Sequence, residues 1–173
     1  MSPTVPVSWR NFSVVFIPKA GRRDHESAKD FRPIRLSSYL LKTLERLLDV
    51  FLREKFDSVN ALSPNQHAYT RGRSTETALY TVVQQIERSL YYKQFTLAAF
   101  LDIEGVFNNI HTSAIKRALV NLGVEHFLSD WIVTMLNGRI ITSELGNSKL
   151  SKQATRGTSQ GGVIYPLLWI IVL

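Results

Sequence analysis

The chain has 173 residues and a formal net charge of +7, with 21 lysines and arginines against 14 acidic residues. Its composition, 45% hydrophobic and 20% charged, is that of a globular chain and excludes an acidic or an intrinsically disordered protein. The absence of cysteine excludes disulfide scaffolds, thiol nucleophiles and thiolate zinc sites, and it indicates an intracellular protein.

The first predicted element is a β-hairpin with a basic tip. Residues 12–17 (FSVVFI) form a β-branched and aromatic run that Pro18 closes, and an extended segment resumes at residues 31–36. The basic residues of this region are Lys19, Arg22, Arg23, Lys29, Arg32 and Arg35. Such a stripe suits a phosphodiester backbone or a triphosphate, although a solvated charged face is the more common meaning of the pattern.

Apolar residues at helical spacing predict the next two helices. The first has a core stripe of Leu40, Leu41, Leu44, Leu47, Leu48, Phe51 and Leu52, with Lys42, Glu45, Arg46, Asp49 and Arg53 on its polar face. The second begins at Ser74 or Thr75 as N-cap, and its predicted buried row is Leu79, Val82, Val83, Ile86 and Leu90.

The C-terminal half predicts two further helices and a second hairpin. Gly123 and Gly138 end the helices, and the hairpin turns at Gly146-Asn147. The predicted fold class is therefore α+β. The segment from Val163 to Leu173 is too short to cross a bilayer, so no membrane partner is expected.

A continuous apolar segment ends in an isolated carboxylate. Residues 95–101 (FTLAAFL) predict a strand covered on both faces, and Asp102 follows directly. A carboxylate at the end of a buried strand must be paired, hydrogen-bonded or bound to a cation, which makes Asp102 a candidate metal ligand. On spacing alone, a capping or turn aspartate before Gly105 is an equally good interpretation.

Two glycine-containing loops are candidates for contact with a base or a phosphate. In residues 156–162 (RGTSQGG) the glycines allow a close backbone approach and Gln160 offers an amide, although composition alone favours a flexible loop. In residues 69–75 (YTRGRST) basic side chains precede a helix N-terminus, as a phosphate site requires, without the spacing of a Walker A loop. A solvated loop capped by Ser74 explains the second pattern equally well.

Taken in order, five blocks resemble the reverse transcriptases of non-LTR (LINE-type) retrotransposons. The blocks are VFIPK (15–19), FRPI (31–34), QHAYTRGRST (66–75), LDIEGVFN (101–108) and RGTSQGGVIYPLLW (156–169). The resemblance implies a partial right-hand polymerase fold. Its fingers-like part is residues 1–94, the first palm strand and nucleotide-site turn are 95–111, a fingers/palm connection is 112–155, and the Gln-Gly loop with the start of a palm helix is 156–173.

The resemblance also implies residue roles in RNA-templated DNA synthesis. Asp102 becomes a catalytic metal ligand, with the Ile103 carbonyl as a further contact, for two Mg²⁺ ions in the complete enzyme. The incoming deoxynucleoside triphosphate is assigned to Lys19, Arg32, Phe107, Gln160 and Gly161, and the template phosphates to Arg71 and Arg73. Phe107 would exclude a 2′-hydroxyl. The implied partners are an RNA template, a DNA primer and deoxynucleoside triphosphates.

Departures from the family pattern predict a truncated and inactive copy. No aromatic-x-Asp-Asp block occurs in the 173 residues, so one acid of three remains and weak or absent Mg²⁺ binding is expected. Asn108, Thr158-Ser159 and Tyr165 stand where the family usually has other residues. The apolar residues 167–171 are expected to be exposed and to promote self-association. The alternative function is a non-catalytic nucleic-acid-binding relict.

Overall fold

The computed structural model describes residues 3–21, 26–27, 30–103, 106–145, 148–158 and 161–172. A 3₁₀ helix, Val7–Arg10, precedes strands β1 (Asn11–Pro18) and β2 (Phe31–Leu36). The helices α1 (Tyr39–Ser58), α2 (Thr75–Tyr91), α3 (Val106–Asn109), α4 (Thr112–Asn121) and α5 (His126–Leu136) follow. Strands β3 (Arg139–Leu145) and β4 (Ser148–Ala154) and helix α6 (Tyr165–Ile170) complete the described elements. The predicted α+β class is confirmed.

The strands form one mixed sheet in the order β2-β1-β3-β4. Strand β1 pairs antiparallel with β2 and parallel with β3, and β3 pairs antiparallel with β4. Both predicted hairpins are thereby confirmed. The turn residues Gly146 and Asn147, and the basic residues Arg22, Arg23 and Lys29 of the first tip, lie outside the described residues.

Helix α1 packs on the core along a narrower stripe than its sequence predicts. Leu41, Leu48, Leu52 and Phe56 are buried, whereas Leu40, Leu47 and Phe51 are exposed. The reason is that one side of α1 faces α4, α5, α6 and the end of β1 that carries Phe12, and these elements share one hydrophobic cluster. The remaining leucines face outward.

The expected exposure of the C-terminal apolar residues is wrong. Leu167 and Leu168 are 0% exposed and Ile170 is buried, while Trp169 and Ile171 are half-buried against the core. Helix α6 places them in the same cluster as Leu52 and Leu119, partners that are distant in sequence. The expectation of self-association through these residues therefore loses its basis.

Helix α2 begins where the sequence predicts but does not join the core. The Ser74 hydroxyl accepts the Thr77 backbone N–H at 3.2 Å, and the Thr77 hydroxyl accepts the Ser74 N–H at 2.9 Å, which makes a capping box. The predicted buried row is wrong, since Leu79 and Leu90 are exposed and no described residue of α2 is buried. The residues of this helix are exposed or half-buried.

The strand predicted at residues 95–101 is also wrong. These residues have no regular secondary structure, and the side chains of Phe95, Leu97 and Leu101 are almost fully exposed. A strand needs neighbours for its backbone N–H and C=O groups, and this segment pairs with none of the four described strands. Among the described residues, no helix is both long and apolar enough to span a bilayer.

Candidate nucleotide and nucleic-acid site

Asp102 lies in the exposed segment that precedes α3. Its carboxylate forms no hydrogen bond or ion pair with another described residue, and the Ile103 side chain beside it is also exposed. The described residues contain no group of three or more histidine, cysteine or acidic side chains placed to hold a metal ion. Because Mg²⁺ needs several converging oxygens, the described residues do not by themselves make up a magnesium site.

Phe107 meets the glycine loop through main-chain hydrogen bonds. The Phe107 carbonyl accepts the Thr158 N–H at 2.6 Å and the Thr158 hydroxyl at 3.2 Å. The Gly157 N–H donates to the Ile110 carbonyl at 2.8 Å. The half-buried Phe107 ring packs against Trp169, with 5.6 Å between ring centroids. Two sequence blocks that the resemblance assigns to one site are therefore in contact.

The loop that follows Thr158 packs closely against the edge strand β2. Gly161 has a φ of +105°, and a Cβ built there would lie 2.9 Å from the Arg35 carbonyl oxygen and 3.5 Å from the Ile34 side chain. Arg32 lies two residues from Ile34, so both project from the same face of β2. Gly161 thus lies against the backbone of the strand that carries the exposed Arg32. Gln160 lies outside the described residues.

Gly162 has no room for a side chain. A Cβ at this position would lie 2.0 Å from the Tyr165 ring carbon Cε2 and 3.2 Å from Glu45 Oε2. Since the Tyr165 ring is fully buried, it has little freedom to move away. We expect Gly162→Ala to lower the free energy of unfolding by about 1–3 kcal/mol through overpacking, measured by urea denaturation.

Gly72→Ala is the matched control for that measurement. Gly72 has a φ of +73°, but a Cβ there would meet no atom within 4 Å. Gly72→Ala should therefore lower the free energy of unfolding only through the strain of placing alanine in a left-handed backbone conformation, about 1 kcal/mol. A Gly162→Ala variant as stable as the wild type would contradict the close packing of the loop on Tyr165.

A buried polar cluster anchors both ends of the loop. The Glu45 carboxylate of α1 is fully buried and accepts the Val163 N–H at 2.9 Å. The buried Arg139 guanidinium donates to the Leu136 carbonyl at 2.5 Å and to the Gly157 carbonyl. The buried Tyr165 side chain interacts electrostatically with both Glu45 and Arg139. Side chains of α1 and β3 therefore hold Gly157 and Val163, on either side of the loop, in place.

Burial shifts the pKa values of this cluster. Burial raises the pKa of Glu45, an effect partly offset by the hydrogen bonds from Val163 and Tyr165. Burial, together with the neighbouring Arg139, lowers the pKa of Arg35 to about 10, so this guanidinium stays protonated at neutral pH. Burial lowers the pKa of Arg139 as well. The Glu45 carboxylate compensates part of the desolvation cost of the buried Arg139 and the half-buried Arg35.

Sequence reasoning missed the role of Glu45 by placing it on the polar face of its helix. A signal was present, because Glu45 is four residues after Leu41 and three before Leu48, within the stripe that is buried. The backbone contacts of Arg139 had no comparable signal. Its partners Leu136 and Gly157 are brought to it by the end of α5 and by the glycine loop.

The remaining predicted site residues lie on the first hairpin and the loop before α2. Lys19 follows β1, and its backbone N–H donates to the Asp30 carbonyl at 2.8 Å. Arg71 is exposed. The Arg73 guanidinium donates to the carbonyls of Pro64 and Gln66, so it holds its own loop in shape. Their roles toward nucleotide and template stay predictions.

The model of the family "Reverse transcriptase (RNA-dependent DNA polymerase)" matches residues 17–173. The chain belongs to this reverse transcriptase family. It is 28% identical to the Retrovirus-related Pol polyprotein from type-1 retrotransposable element R2 of Popillia japonica, over 98% of the chain and 23% of that protein. It is 29% identical to the corresponding polyprotein from element R1 of Bradysia coprophila, over 97% of the chain and 16% of that protein.

A third relative is the RNA-directed DNA polymerase from mobile element jockey of Drosophila melanogaster. The identity is 26%, over 96% of the chain and 18% of that protein. The predicted resemblance of this reverse transcriptase chain to non-LTR retrotransposon enzymes is thereby confirmed. The chain spans less than a quarter of the length of these relatives.

Proposed function

We propose that the chain supplies the fingers and the first part of the palm of an RNA-directed DNA polymerase of a non-LTR retrotransposon. This nucleotidyltransferase would add deoxynucleotides to a primer 3′-hydroxyl on an RNA template. The observation that supports the proposal is the junction of Phe107 with the glycine loop, whose Gly161 packs against β2, the strand that carries Arg32. The proposed division is fingers in 1–94, the nucleotide-site turn of the palm in 95–111, connection in 112–155 and loop with palm helix in 156–173.

The proposed residue roles follow from chemistry at this junction. Arg32 donates bidentate hydrogen bonds to the triphosphate, and Lys19 supplies a point charge. Phe107 contacts the sugar and excludes a 2′-hydroxyl by its size, while Gln160 and Gly161 lie against the nascent base pair. Arg71 and Arg73 contact template phosphates. Asp102, with the Ile103 carbonyl, is the contribution of this chain to metal binding.

We further propose that these 173 residues do not polymerise on their own. Two-metal chemistry in the complete protein needs carboxylates in addition to Asp102, and the sequence has no paired-aspartate block. Among the described residues, Asp102 belongs to no group of three or more histidine, cysteine or acidic side chains that could hold a metal ion. Nucleotide recognition and catalysis are therefore separable in this chain.

The test is the affinity of the chain for a fluorescent deoxynucleoside triphosphate. Arg32→Ala is expected to weaken binding about 10- to 150-fold, since a hydrogen bond to a charged group contributes about 1.5–3 kcal/mol. Arg32 is exposed, so the substitution leaves the core intact. The matched control is Arg46→Ala, which removes the same charge from an exposed position on α1.

Three outcomes separate the alternatives. Equal affinities of the Arg32→Ala and Arg46→Ala variants would contradict the proposed triphosphate site. RNA binding by a chain that does not bind deoxynucleotides would favour the non-catalytic relict. Templated extension of an RNA-annealed DNA primer by the 173-residue chain would contradict its proposed inactivity.

A further inference from the structure

A groove of about 410 Å³ crosses one face of the four-stranded sheet. Val14 lies opposite Arg35 on β2 and opposite Ser143 on β3, and Ser143 lies opposite Leu150 on β4. Side chains at directly paired positions share a face, so the groove runs across all four strands. The core covers the end of this face that carries Phe12 and leaves the groove end open.

The groove combines an apolar floor with a cationic rim. Val14, Phe16, Ile141 and Leu150 line the floor, and Phe16 is 45% and Leu150 71% exposed. The charged lining residues are Arg35, Lys152 and Arg156, and no acidic side chain is among the described lining residues. Lys152 and Arg156 are exposed, and neither forms an ion pair with any acid in the part of the chain that the structure describes.

The groove is on the opposite face of the sheet from the proposed triphosphate site. Arg35 lines the groove, whereas Arg32 lies an odd number of residues away on the same strand and projects from the other face. Thr158 connects the two regions, since it lines the groove and its N–H and hydroxyl both bind the Phe107 carbonyl. A ligand lying along the groove would therefore end beside the Phe107 segment without contacting Arg32, which projects from the other face of β2.

We propose that this groove binds single-stranded RNA. Bases stack on Phe16 and on the aliphatic floor, while Lys152 and Arg156 contact the phosphates on either side. The two features are needed together, because aromatic surface supplies stacking without sequence preference and the cations follow the backbone. The identity of the ligand as RNA rests on the proposed function, whereas the location of the site rests on the groove itself.

The experiment measures binding of a fluorescent ten-nucleotide oligouridylate to the whole chain at several salt concentrations. The double variant Lys152→Gln/Arg156→Gln is expected to lower the affinity and to reduce the slope of log K against log salt by about 1.4, which is about 0.7 for each cation removed. The matched control is Lys149→Gln/Arg117→Gln. It removes the same charge from exposed positions, with Lys149 on the other face of β4.

A second pair of variants tests stacking independently of charge. Phe16→Ala is expected to weaken oligouridylate binding by about 5- to 150-fold, because base stacking on an aromatic ring is worth about 1–3 kcal/mol. Phe16→Tyr keeps the ring and is expected to bind like the wild type. Retained binding in Phe16→Tyr would show that the loss of binding in Phe16→Ala comes from removal of the aromatic ring.

Two results would overturn the proposal. One is a salt slope and an affinity that change equally in the groove double variant and in its control. The other is a polyglutamate decapeptide that competes with the oligonucleotide at equal concentration, which would identify a surface for acidic peptides. Deoxynucleotide binding that depends on Arg32 would persist in either case, so failure of the groove and failure of the proposed function are distinguishable.

Discussion

Replacement of Glu45 by alanine is expected to lower the free energy of unfolding by about 3–5 kcal/mol, as removal of the acid from a buried charged cluster typically does. The Glu45 carboxylate is the acceptor for the Val163 N–H at 2.9 Å, and its charge acts on the half-buried guanidinium of Arg35 and the buried guanidinium of Arg139. Its loss leaves a buried donor unsatisfied and two cations less compensated. Thermal unfolding should shift down by about 2–4 °C for each kcal/mol.

Glu54→Ala is the control on the same helix. Glu54 is exposed on α1, and a surface substitution of this kind changes stability by about 0.5 kcal/mol or less. If Glu45→Ala and Glu54→Ala gave the same unfolding midpoint, the anchor of the glycine loop on α1 would be refuted.

The pH dependence of the Glu45 effect has a defined sign. Burial raises the pKa of Glu45 above its ordinary value of 4.5, so above that pH the folded chain binds more protons than the unfolded chain. The stability contributed by this group is therefore fully present below pH 4.5 and falls as the pH rises through the raised folded-state pKa. The stability difference between wild type and Glu45→Gln should decrease over that window. Arg35, with a pKa of about 10, does not titrate there.

The elements that the sequence predicts correctly are those with a local signal. Pro18 closes β1, Ser74 caps α2, and Gly123 and Gly138 follow the last turns of α4 and α5. Each of these residues acts on the backbone within a few positions of itself. Knowledge of the rest of the fold is not needed to read them.

The wrong predictions concern which elements pack against each other. An apolar row at helical spacing predicts that a face can be buried, but no described residue of α2 is buried and residues 95–101 are exposed. Helix α6 shows the reverse case, since its apolar residues find partners on α1 and α4. The spacing of apolar residues shows which face of a segment could be buried. Whether that face is buried depends on where the other elements of the fold lie.

The candidate site shows the same division between local pattern and tertiary contact. Spacing alone left Asp102 and the glycine loop with structural alternatives, and only the resemblance placed Phe107 and that loop in one site. The hydrogen bonds from Thr158 to Phe107 join residues about fifty positions apart, which no local pattern predicts. The cluster of Glu45, Arg139 and Tyr165 is another such case, because its members come from α1, β3 and α6.

Leu167→Ala provides the second large effect, an expected loss of about 2–5 kcal/mol in the free energy of unfolding. Leu167 is fully buried in the cluster that joins α6 to α1 and α4, so truncation to alanine leaves a cavity as well as losing apolar contact. The measurement is urea denaturation of both proteins, with a lower midpoint and an unchanged slope as the signature of lost stability.

Leu40→Ala is the control for that measurement, because it makes the same substitution at an exposed position. The same atoms are removed, but Leu40 is 70% exposed on α1, so the change in stability should be about 0.5 kcal/mol or less. Equal effects at the two leucines would mean that α6 does not belong to the core. In that event the C-terminal apolar residues would be free for association, and sedimentation of the wild-type chain would have to show oligomers. Because α6 also carries the Tyr165 ring that packs on Gly162, the same result would remove the support of the glycine loop.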